Sequence, residues 1–489
     1  MKLIFVLFLF ILHNVICAQK TINKEKTDFN IAVNEFTSDP EILNSSISFY
    51  AIDLNSNEEI GKINPELRLS PASTIKLFTT AAALEILGEE KTFKTKIGYS
   101  GTIDTNGVLN GNIIIKGEGD PCFMSHNFNS TYYNINIFNK VASEIIKLGI
   151  KEINGSIIGD ASYYSDNSAP STWILADVAN YYGASPWALS VLDNEYKLFF
   201  NTGLKADDST NIIKIEPEIS FMEINNIVKS DNISGDQSII YGGQFDDYRI
   251  ATGKLPINKT NYEVKGSTSN PPLLAAELLK NELLKNGIVV THSSFDVPGL
   301  KLKNNNNEDY KYIYELESPK LKDIVYYTNI KSINLYAEHL LRQIGVAKNR
   351  SGSNSSGIDE INNFWFKTTG KLLIYDGSGL SRFNAVSAKQ LVQVLSYMKK
   401  TSKNFNFFYN SLPVASRSGS ISGMFSGSIA ENNMRAKSGY MTGVRSYAGY
   451  VKTKSSKEIA FAIIINNYSS SSSVVKGKIE QFLIKLSNN

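Results

Sequence analysis

The chain has 489 residues, of which 42% are hydrophobic, enough for roughly two to four domains with a sizeable core. Its 50 basic and 47 acidic residues nearly balance, which leaves a formal net charge of +3. This balance gives no sign of a nucleic-acid-binding surface, so no nucleic-acid partner is expected.

The first residues have the pattern of a secretory signal peptide. Lys2 supplies a positive charge, Leu3–Leu12 is an unbroken apolar run of ten residues, and Cys17 and Ala18 offer cleavage points. Because ten residues are too short to span a bilayer, we expect a signal over residues 1–18 and an exported protein of the periplasm or cell envelope. Lipidation of Cys17 and peripheral contact with a membrane stay open.

The cysteines and histidines do not support metal or disulfide chemistry. After removal of the signal Cys122 is the single cysteine, so no internal disulfide is expected. The histidines His13, His126, His292 and His339 show no ligand spacing. A metal site and a Ser-His-Asp triad therefore have little support.

The first predicted elements are a β-hairpin and a buried helix. Residues 47–53 alternate like a strand, and residues 59–63 read as the returning strand. The stretch Leu77–Leu87, rich in Leu, Ala and Thr, predicts a buried helix. Ser73 and Lys76 stand at the start of this helix, where a spacing of three residues puts both side chains on one face, one turn apart.

Ser73 and Lys76 could form a nucleophile and its base. A serine hydroxyl is a poor nucleophile until a neighbouring base takes its proton. Lys76 can be that base if burial or a nearby cation lowers its pKa. A lone Ser-x-x-Lys is nevertheless more typical of an N-capping serine beside a solvated lysine, so this hypothesis depends on the other motifs.

The middle of the chain predicts short strands separated by two helices. Strand-like pieces occur over residues 93–116 and, as in a small all-β module, over residues 194–262. The other predicted elements are a tight turn at Gly117–Pro121, a helix at Ile135–Leu148, a strand end at Ile157–Asp160, a helix at Pro271–Gly287 and a polar break at Asn304–Glu308.

The last part of the chain predicts helix, helix, three strands and helix. The predicted helices are Ile333–Gly345, Ala385–Met398 and Val474–Leu486, and the predicted antiparallel strands are Arg435–Lys437, Arg445–Lys452 and Ile459–Asn466.

Two short motifs accompany these elements. Ser332-Ile333-Asn334 opens the first of the helices, and Lys437-Ser438-Gly439 ends the first of the strands. With Ser73 and Lys76 they reproduce, in order, the Ser-x-x-Lys, Ser-Asp-Asn and Lys-Thr-Gly set of active-site-serine enzymes of the β-lactamase and penicillin-binding class. The third motif has serine in place of threonine, which keeps the hydroxyl group.

The resemblance to one family extends over nearly the whole mature chain. It is carried by Pro71–Lys76, Gly117–Pro121, Asp376–Arg382, Ser411–Ala415 and Ala436–Gly443. These stretches resemble the class C low-molecular-mass penicillin-binding proteins, the D-alanyl-D-alanine carboxypeptidase/endopeptidase family of penicillin-binding protein 4 type.

The resemblance implies an α+β fold. A β-lactamase/transpeptidase-like catalytic domain, an antiparallel sheet with flanking helices, is expected to be interrupted by two inserted, mainly β-containing domains. These insertions account for the long interval between the first and second motifs. The implied boundaries are residues 28–92 and 312–489 for the catalytic domain, 93–193 and 263–311 for inserted domain II, and 194–262 for inserted domain III.

The resemblance also implies catalytic roles. Ser73 is the expected nucleophile and Lys76 its base. Ser332 and Lys437 would relay a proton to the leaving amine, and Asn334 would hold the substrate amide. No metal or organic cofactor is expected, since water releases the acyl-enzyme.

Other residues are expected to bind the substrate. Ser438 would hold the terminal carboxylate, and the backbone N–H of Tyr440 would complete an oxyanion hole with that of Ser73. Gly439 belongs to the same motif. Arg382 and Thr442 are expected around the pocket.

Asp177 and Tyr182 fall where the family contacts the side chain of the peptide. The implied function is a serine-type D-Ala-D-Ala carboxypeptidase that acts on peptidoglycan stem peptides through an acyl-enzyme on Ser73, with β-lactams as covalent inhibitors. Endopeptidase activity, the third residue of the stem peptide and a homodimer stay open. The alternatives are a serine β-lactamase or esterase on the same scaffold and a non-catalytic penicillin-binding sensor.

Overall fold

The computed structural model describes residues 29–128, 137–297, 310–348 and 350–489. The predicted signal over residues 1–18, including Cys17, and the predicted break at Asn304–Glu308 lie outside these residues. The first two residues of the helix predicted at Ile135–Leu148 also lie outside them. None of the helices formed by the described residues is long and apolar enough to cross a membrane.

Strands occur near both ends of the chain and throughout its middle. In chain order they are β1 (Ser46–Asp53), β2 (Glu59–Ile63), β3 (Lys94–Tyr99), β4 (Thr102–Ile103), β5 (Val108–Asn110), β6 (Ile113–Gly117), β7 (Glu152–Asn154), β8 (Ile157–Asp160), β9 (Glu195–Asn201), β10 (Asn211–Glu216), β11 (Glu223–Asn226), β12 (Lys229–Asp231), β13 (Gln237–Tyr241), β14 (Tyr248–Pro256), β15 (Tyr262–Ser267), β16 (Val289–Val290), β17 (Phe295–Val297), β18 (Lys311–Glu317), β19 (Arg435–Met441), β20 (Val444–Lys452) and β21 (Glu458–Asn466).

Helices are concentrated in the last third of the chain. In chain order they are α1 (residues 29–37), α2 (Lys76–Leu87), α3 (Ile137–Lys147), α4 (Leu175–Val178), α5 (Pro271–Lys285), α6 (Leu321–Ile330), α7 (Asn334–Ala347), α8 (Asn354–Thr369), α9 (Ala388–Lys400), α10 (Phe405–Ser411) and α11 (Ser472–Ser487).

The predicted antiparallel sheet is present, with five strands in the order β19-β20-β21-β1-β2. The predicted hairpin of β1 and β2 is confirmed. Its turn forms because the Asp53 carboxylate accepts the N–H of Asn55 at 2.8 Å and Asn57 takes a left-handed φ of 63°. On its other side β1 pairs with β21, with Ser46 opposite Asn466, so the first and last strands of the chain are neighbours.

Helices cover both faces of this sheet, because successive strand side chains point to opposite sides. Ala462 and Ile464 of β21 pack in the same core as α2, α7 and α9. Phe49 of β1 faces the other side, where its ring lies 4.8 Å from that of Phe482 in α11. Phe482 also stacks on Phe36 of α1 at 4.3 Å. The result is a three-layer α/β/α sandwich.

Helix α2 lies at the centre of the layer next to β1 and β21. Its residues from Lys76 to Leu84 are all buried, which is typical of a helix surrounded by protein on every side. It packs against α6, α7, α8 and α9. The predicted buried helix is therefore confirmed, and it fixes the position of the Ser73 turn directly before it.

The chain between α2 and α6 forms further sheets within the described residues. A five-stranded mixed sheet has the order β17-β8-β6-β3-β18, and a smaller mixed sheet the order β16-β7-β5-β4. Strands β10-β9-β15 form an antiparallel sheet, and β14 pairs in a mixed sheet with β11 and β12, which are parallel to it, and with β13, which is antiparallel. The interval between the first two motifs is thus filled by β-rich structure.

Two strand pairings bear on the domain boundaries. Strand β18 pairs with β3 through Glu317 opposite Lys94, and β15 pairs with β9 through Ser267 opposite Glu195. We therefore propose that the catalytic domain resumes after Glu317, later than the expected residue 312. We likewise propose that domain III extends through Ser267, past the expected residue 262.

Some elements differ from the sequence predictions. The sequence indicated neither α6, α8 nor α10. Helix α8 is rich in Asn, Ser and Thr, residues that favour turns and caps, but Ser353 and Ser356 form a capping box at its start. Its buried face then packs Ile361 and Trp365 into the core. Tertiary burial overrides weak local propensity here.

Candidate active site

Ser73 lies in a turn of 3₁₀-helix, Ala72–Ile75, directly before α2. The prediction that Ser73 starts the α-helix is therefore shifted by one turn. In a 3₁₀-helix the side chains at i and i+3 eclipse each other, and Lys76 Nζ accordingly donates to Ser73 Oγ at 3.1 Å. Ser73 is partly exposed, whereas Lys76 is fully buried.

Two glycines allow neighbouring segments to touch this turn. A Cβ on Gly439 would lie 2.4 Å from the Pro71 carbonyl oxygen and 2.9 Å from the Ser73 nitrogen. A Cβ on Gly379, which has a left-handed φ of 86°, would lie 2.0 Å from the Ala72 carbonyl oxygen. The turn is thus held between strand β19 and the loop that contains Gly379.

Lys76 is held by three acceptors in the protein interior. Besides Ser73 Oγ, its Nζ donates to Asn334 Oδ1 and to the Ser378 carbonyl, each at 2.6 Å. Burial lowers the pKa of Lys76 to about 7, although the negative charges of Asp376 and Glu338 oppose this shift. Because a large fraction of such an amine is neutral near pH 7, Lys76 can accept the proton of Ser73.

Ser332 precedes α7 in a left-handed conformation with φ 60°. The motif Ser332-Ile333-Asn334 lies at the start of the helix as predicted, but regular helix begins only at its third residue, Asn334, with Ile333 as the N-cap. Lys437 Nζ donates to Ser332 Oγ and to the Ser438 carbonyl, each at 2.9 Å. Lys437 is fully buried, and burial together with the charge of Lys76 holds its pKa well below the usual range.

The third motif lies inside a strand. Lys437, Ser438 and Gly439 were expected at a strand end, but β19 continues to Met441 because each residue pairs with β20. Tyr440 is 55% exposed, and its ring lies 4.2 Å from the Arg445 guanidinium group.

Thr442 lies in the exposed turn between β19 and β20. Ser438 Oγ donates to Ser420 Oγ at 2.6 Å. Two hydroxyl groups therefore lie together beside the motif. No sequence motif marks Ser420, which follows the Ser411–Ala415 stretch after a short turn.

The residues predicted to contact the side chain of the peptide begin next to Asn334. Asn334 Nδ2 donates to the Tyr182 carbonyl at 2.8 Å. The Tyr182 hydroxyl bonds the Asp177 carboxylate, whose pKa is raised by burial while the positive charge of Arg382 opposes the shift. Burial and the charge of Asp177 also raise the pKa of Tyr182. The structure thus brings Asp177, Tyr182 and Arg382 together at one edge of the site.

Two buried acids near Lys76 were missed by the sequence analysis. Asp376 accepts the N–H of Gly379 at 2.8 Å and that of Ser381 at 2.6 Å, which ties the loop into a compact turn. Glu338 lies four residues after Asn334 and therefore on the same face of α7. That spacing was a usable signal for a residue near the site.

The described residues contain no group of three or more His, Cys, Asp or Glu side chains that could bind a metal ion. His339 is buried and pairs with Tyr164 and Ser190 through its two ring nitrogens. Cys122 is buried beside Asp120, with its sulfur 3.3 Å from the carboxylate. Both side chains therefore have structural partners away from Ser73.

Comparison with known proteins identifies the family. The sequence profile of the D-Ala-D-Ala carboxypeptidase 3 (S13) family matches residues 29–486. The D-alanyl-D-alanine carboxypeptidase of Actinomadura sp. strain R39 is 26% identical over 460 residues, 91% of this chain and 82% of that protein. The D-alanyl-D-alanine carboxypeptidase DacB of Haemophilus influenzae is 27% identical over 452 residues, 90% of this chain and 89% of that protein.

A solved structure agrees with these relatives. The crystal structure of penicillin binding protein 4 from Haemophilus influenzae superposes with a TM-score of 0.76 at 25% identity and covers 93% of this chain and 98% of its own. The expected α+β fold is therefore confirmed. The chain belongs to the D-Ala-D-Ala carboxypeptidase 3 (S13) family and is an enzyme of the D-Ala-D-Ala carboxypeptidase type, as the resemblance of its motifs predicted.

Proposed function

We propose that this protein hydrolyses the D-Ala-D-Ala bond of peptidoglycan stem peptides through an acyl-enzyme on Ser73. One observation carries the proposal. Two buried lysines of lowered pKa each donate to a serine hydroxyl, Lys76 to Ser73 and Lys437 to Ser332. A nucleophile with its base and a second proton carrier are the groups that acyl transfer to and from a serine requires.

Acylation uses both pairs. Lys76 takes the proton of Ser73 while the serine oxygen attacks the carbonyl carbon of the penultimate D-Ala. The backbone N–H groups of Ser73 and Tyr440 stabilise the oxyanion. As the C–N bond breaks, Ser332 and Lys437 deliver a proton to the leaving amine. Free D-Ala departs, and the rest of the peptide stays on Ser73 as an ester.

Binding uses the strand and the second motif. The terminal carboxylate would be held by Lys437 and the Ser438 hydroxyl of strand β19, since an amine and a hydroxyl group can both donate to a carboxylate oxygen. Asn334 would hold the substrate amide. Its Oδ1 already accepts from Lys76, and its Nδ2 donates to a backbone carbonyl, so its orientation is fixed before substrate arrives.

Selectivity for the side chain of the stem peptide is assigned to Asp177, Tyr182 and Arg382, with Thr442 at the rim. The Asp177 carboxyl group and the Arg382 guanidinium group lie close together, and such a pair would suit a side chain that carries both an amino and a carboxyl group. Hydrolysis of the ester by water completes the cycle, so no metal or organic cofactor is assigned.

β-Lactams would acylate the same Ser73, because they present a reactive amide to the nucleophile. An exported location is also part of the proposal, supported by the signal-like N-terminus and by the location of the substrate in the cell wall.

The test incubates the purified protein with pentapeptide monomers and with cross-linked dimers of peptidoglycan fragments, followed by mass analysis. Release of one alanine from the monomers is expected, and cleavage of the dimers would add endopeptidase activity. The S73A variant should release no alanine and bind no penicillin covalently. Alanine release by S73A would overturn the nucleophile assignment. Rapid turnover of penicillin would favour a β-lactamase, and absence of any hydrolysis by the wild type would favour a sensor.

A further inference from the structure

Glu338 is a fully buried acid that neither the motifs nor the roles above use. Its Oε1 accepts the backbone N–H of Gly377 at 3.0 Å and that of Ser378 at 2.8 Å. The carbonyl of the same Ser378 accepts from Lys76 Nζ at 2.6 Å. Glu338 is therefore joined to the base of Ser73 through a single residue of backbone.

Helix α7 reaches Lys76 in two ways. Asn334, at its first residue, accepts from Lys76 directly, and Glu338 follows one turn later on the same face. The loop that contains Gly377 and Ser378 lies between α7 and Lys76. The Gly377 carbonyl accepts a hydrogen bond from the Thr79 hydroxyl of α2 at 2.7 Å. The loop is thus bonded to α7 on one side and to α2 on the other.

Buried groups of both signs surround Glu338. Lys76 and Arg342 are fully buried basic side chains near Glu338, and Asp376 is a fully buried acid in the same region. Buried charges are costly unless they are paired. Arg342 stabilises the ionised form of Glu338, whereas burial and the charge of Asp376 oppose it.

Glu338 faces a cation on each side. Its Oε2 lies 3.8 Å from Arg342 Nη1 and has no hydrogen-bond partner, while its Oε1 side leads to Lys76. Asp166 and Tyr164 also interact electrostatically with Arg342. The Asp376 carboxylate accepts a hydrogen bond from the backbone of its own loop. Glu338 is accordingly the acid placed between Arg342 and Lys76.

We propose that Glu338 is a positioning residue: it holds Ser378 so that the carbonyl of that residue orients the Lys76 amine toward Ser73, and together with Asp376 it provides the countercharge that sets when this amine is protonated. The proposal rests on the proposed function of Lys76 as the base.

The sign of the electrostatic effect follows from the geometry. A nearby negative charge favours the protonated form of Lys76, so its removal lowers the pKa of the lysine. Burial and the charge of Asp376 raise the pKa of Glu338 to about 7, the same range as that of Lys76. The two groups therefore titrate together in the wild type, and Lys76 titrates without this partner once Glu338 is replaced by a neutral amide.

The experiment measures the rate of acylation by a fluorescent penicillin over a pH range of about 5 to 9. In E338Q the amide oxygen still accepts the two N–H groups, so the loop stays in place. The acid limb of its pH–rate profile is expected to move to lower pH by about one pH unit. The acylation rate at the high-pH plateau should stay the same. E338A loses the acceptor, and its plateau is expected to fall about 10²-fold, as misplaced catalytic groups typically cause.

The matched control is D193N. Asp193 is another buried acid packed against α7, where it accepts from the Tyr336 hydroxyl at 2.9 Å, but it does not reach Lys76. Its replacement is expected to lower the melting temperature and to leave the acid limb unchanged. A wild-type acid limb in E338Q, or a wild-type plateau in E338A, would overturn the proposal.

A second variant covers the case in which E338Q and E338A do not fold. E338D keeps the charge but shortens the side chain, so it is expected to retain the acid limb and to lose part of the plateau. A wild-type plateau in E338D would also overturn the positioning role. S73A, measured in parallel, keeps the two hypotheses apart, because covalent labelling of S73A would refute the proposed function and not the role of Glu338.

Discussion

Replacement of Gly439 by alanine should disable the site without touching any side chain that reacts. The added Cβ would lie 2.4 Å from the Pro71 carbonyl oxygen, 2.3 Å from Ser446 Oγ and 2.9 Å from the Ser73 nitrogen. Carbon and oxygen ordinarily approach to about 3.3 Å, so the turn and the strand must separate by about 0.9 Å. The Ser446 hydroxyl cannot absorb this shift alone, since it donates to the Pro71 carbonyl.

The separation acts on the proposed oxyanion hole. It moves the N–H of Ser73 away from that of Tyr440, and loss of one oxyanion donor typically costs ~10²–10³ in rate. We therefore expect the second-order rate of acylation of G439A by penicillin to fall about 10²-fold or more, and overpacking to lower the free energy of unfolding by about 1–3 kcal/mol. The pH at half-maximal rate should not change, because Lys76 keeps its contacts with Asn334 and Ser378.

The assay is stopped-flow acylation across pH, with thermal unfolding measured on the same samples. The matched control is G477A, in helix α11, where an added Cβ meets no atom within 4 Å and alanine favours the helix by about 1 kcal/mol. G477A should acylate normally. Wild-type acylation by a folded G439A would refute the argument that the strand and the turn are packed to their limit.

Three further predictions concern the base, the carboxylate site and the core. Wild-type acylation should be half-maximal near pH 7, where the buried Lys76 loses its proton. The K76R variant should not acylate at any pH, because arginine stays protonated. A flat pH profile of the wild type would contradict this prediction. S420A removes the hydroxyl next to Ser438 and should raise KM for acid-terminated peptides about tenfold with little change in kcat. S420T should restore the wild-type KM. Equal KM values for S420A and wild type would contradict a role of Ser420 in binding the carboxylate. W365A should lower the free energy of unfolding by about 3–5 kcal/mol in urea titrations, since Trp365 is fully buried and donates to the Phe78 carbonyl at 3.1 Å; a loss below about 1 kcal/mol would contradict it.

Local pattern was sufficient for the elements that carry their own signals. Strands β1 and β2 alternate around an Asn-rich turn, and helix α2 is rich in Leu, Ala and Thr. These are properties of adjacent residues, and the hairpin and the helix formed as predicted. The order of the three motifs also indicated the family, because each motif carries a serine or lysine side chain at a fixed place in a helix or strand. The pairing of Lys437 with Ser332 is consistent with the relay expected from that order.

Other features depend on contacts between distant segments, which local pattern does not encode. The left-handed φ of Ser332 lies outside the preference of serine and is set by the surrounding packing. Strand β19 extends through Gly439 because β20 pairs with it along its length. The meeting of Ser438 with Ser420 joins a strand to a loop, so neither spacing nor composition could have indicated it.

The position of β1 between β2 and β21 has a consequence for biosynthesis. A ribosome releases β1 and the Ser73 turn long before the strand that pairs with β1 on its other side, Glu458–Asn466. Contacts of such large sequence separation form late and slowly. Nascent or truncated chains that lack β21 therefore contain Ser73 without the strand that completes the sheet around β1.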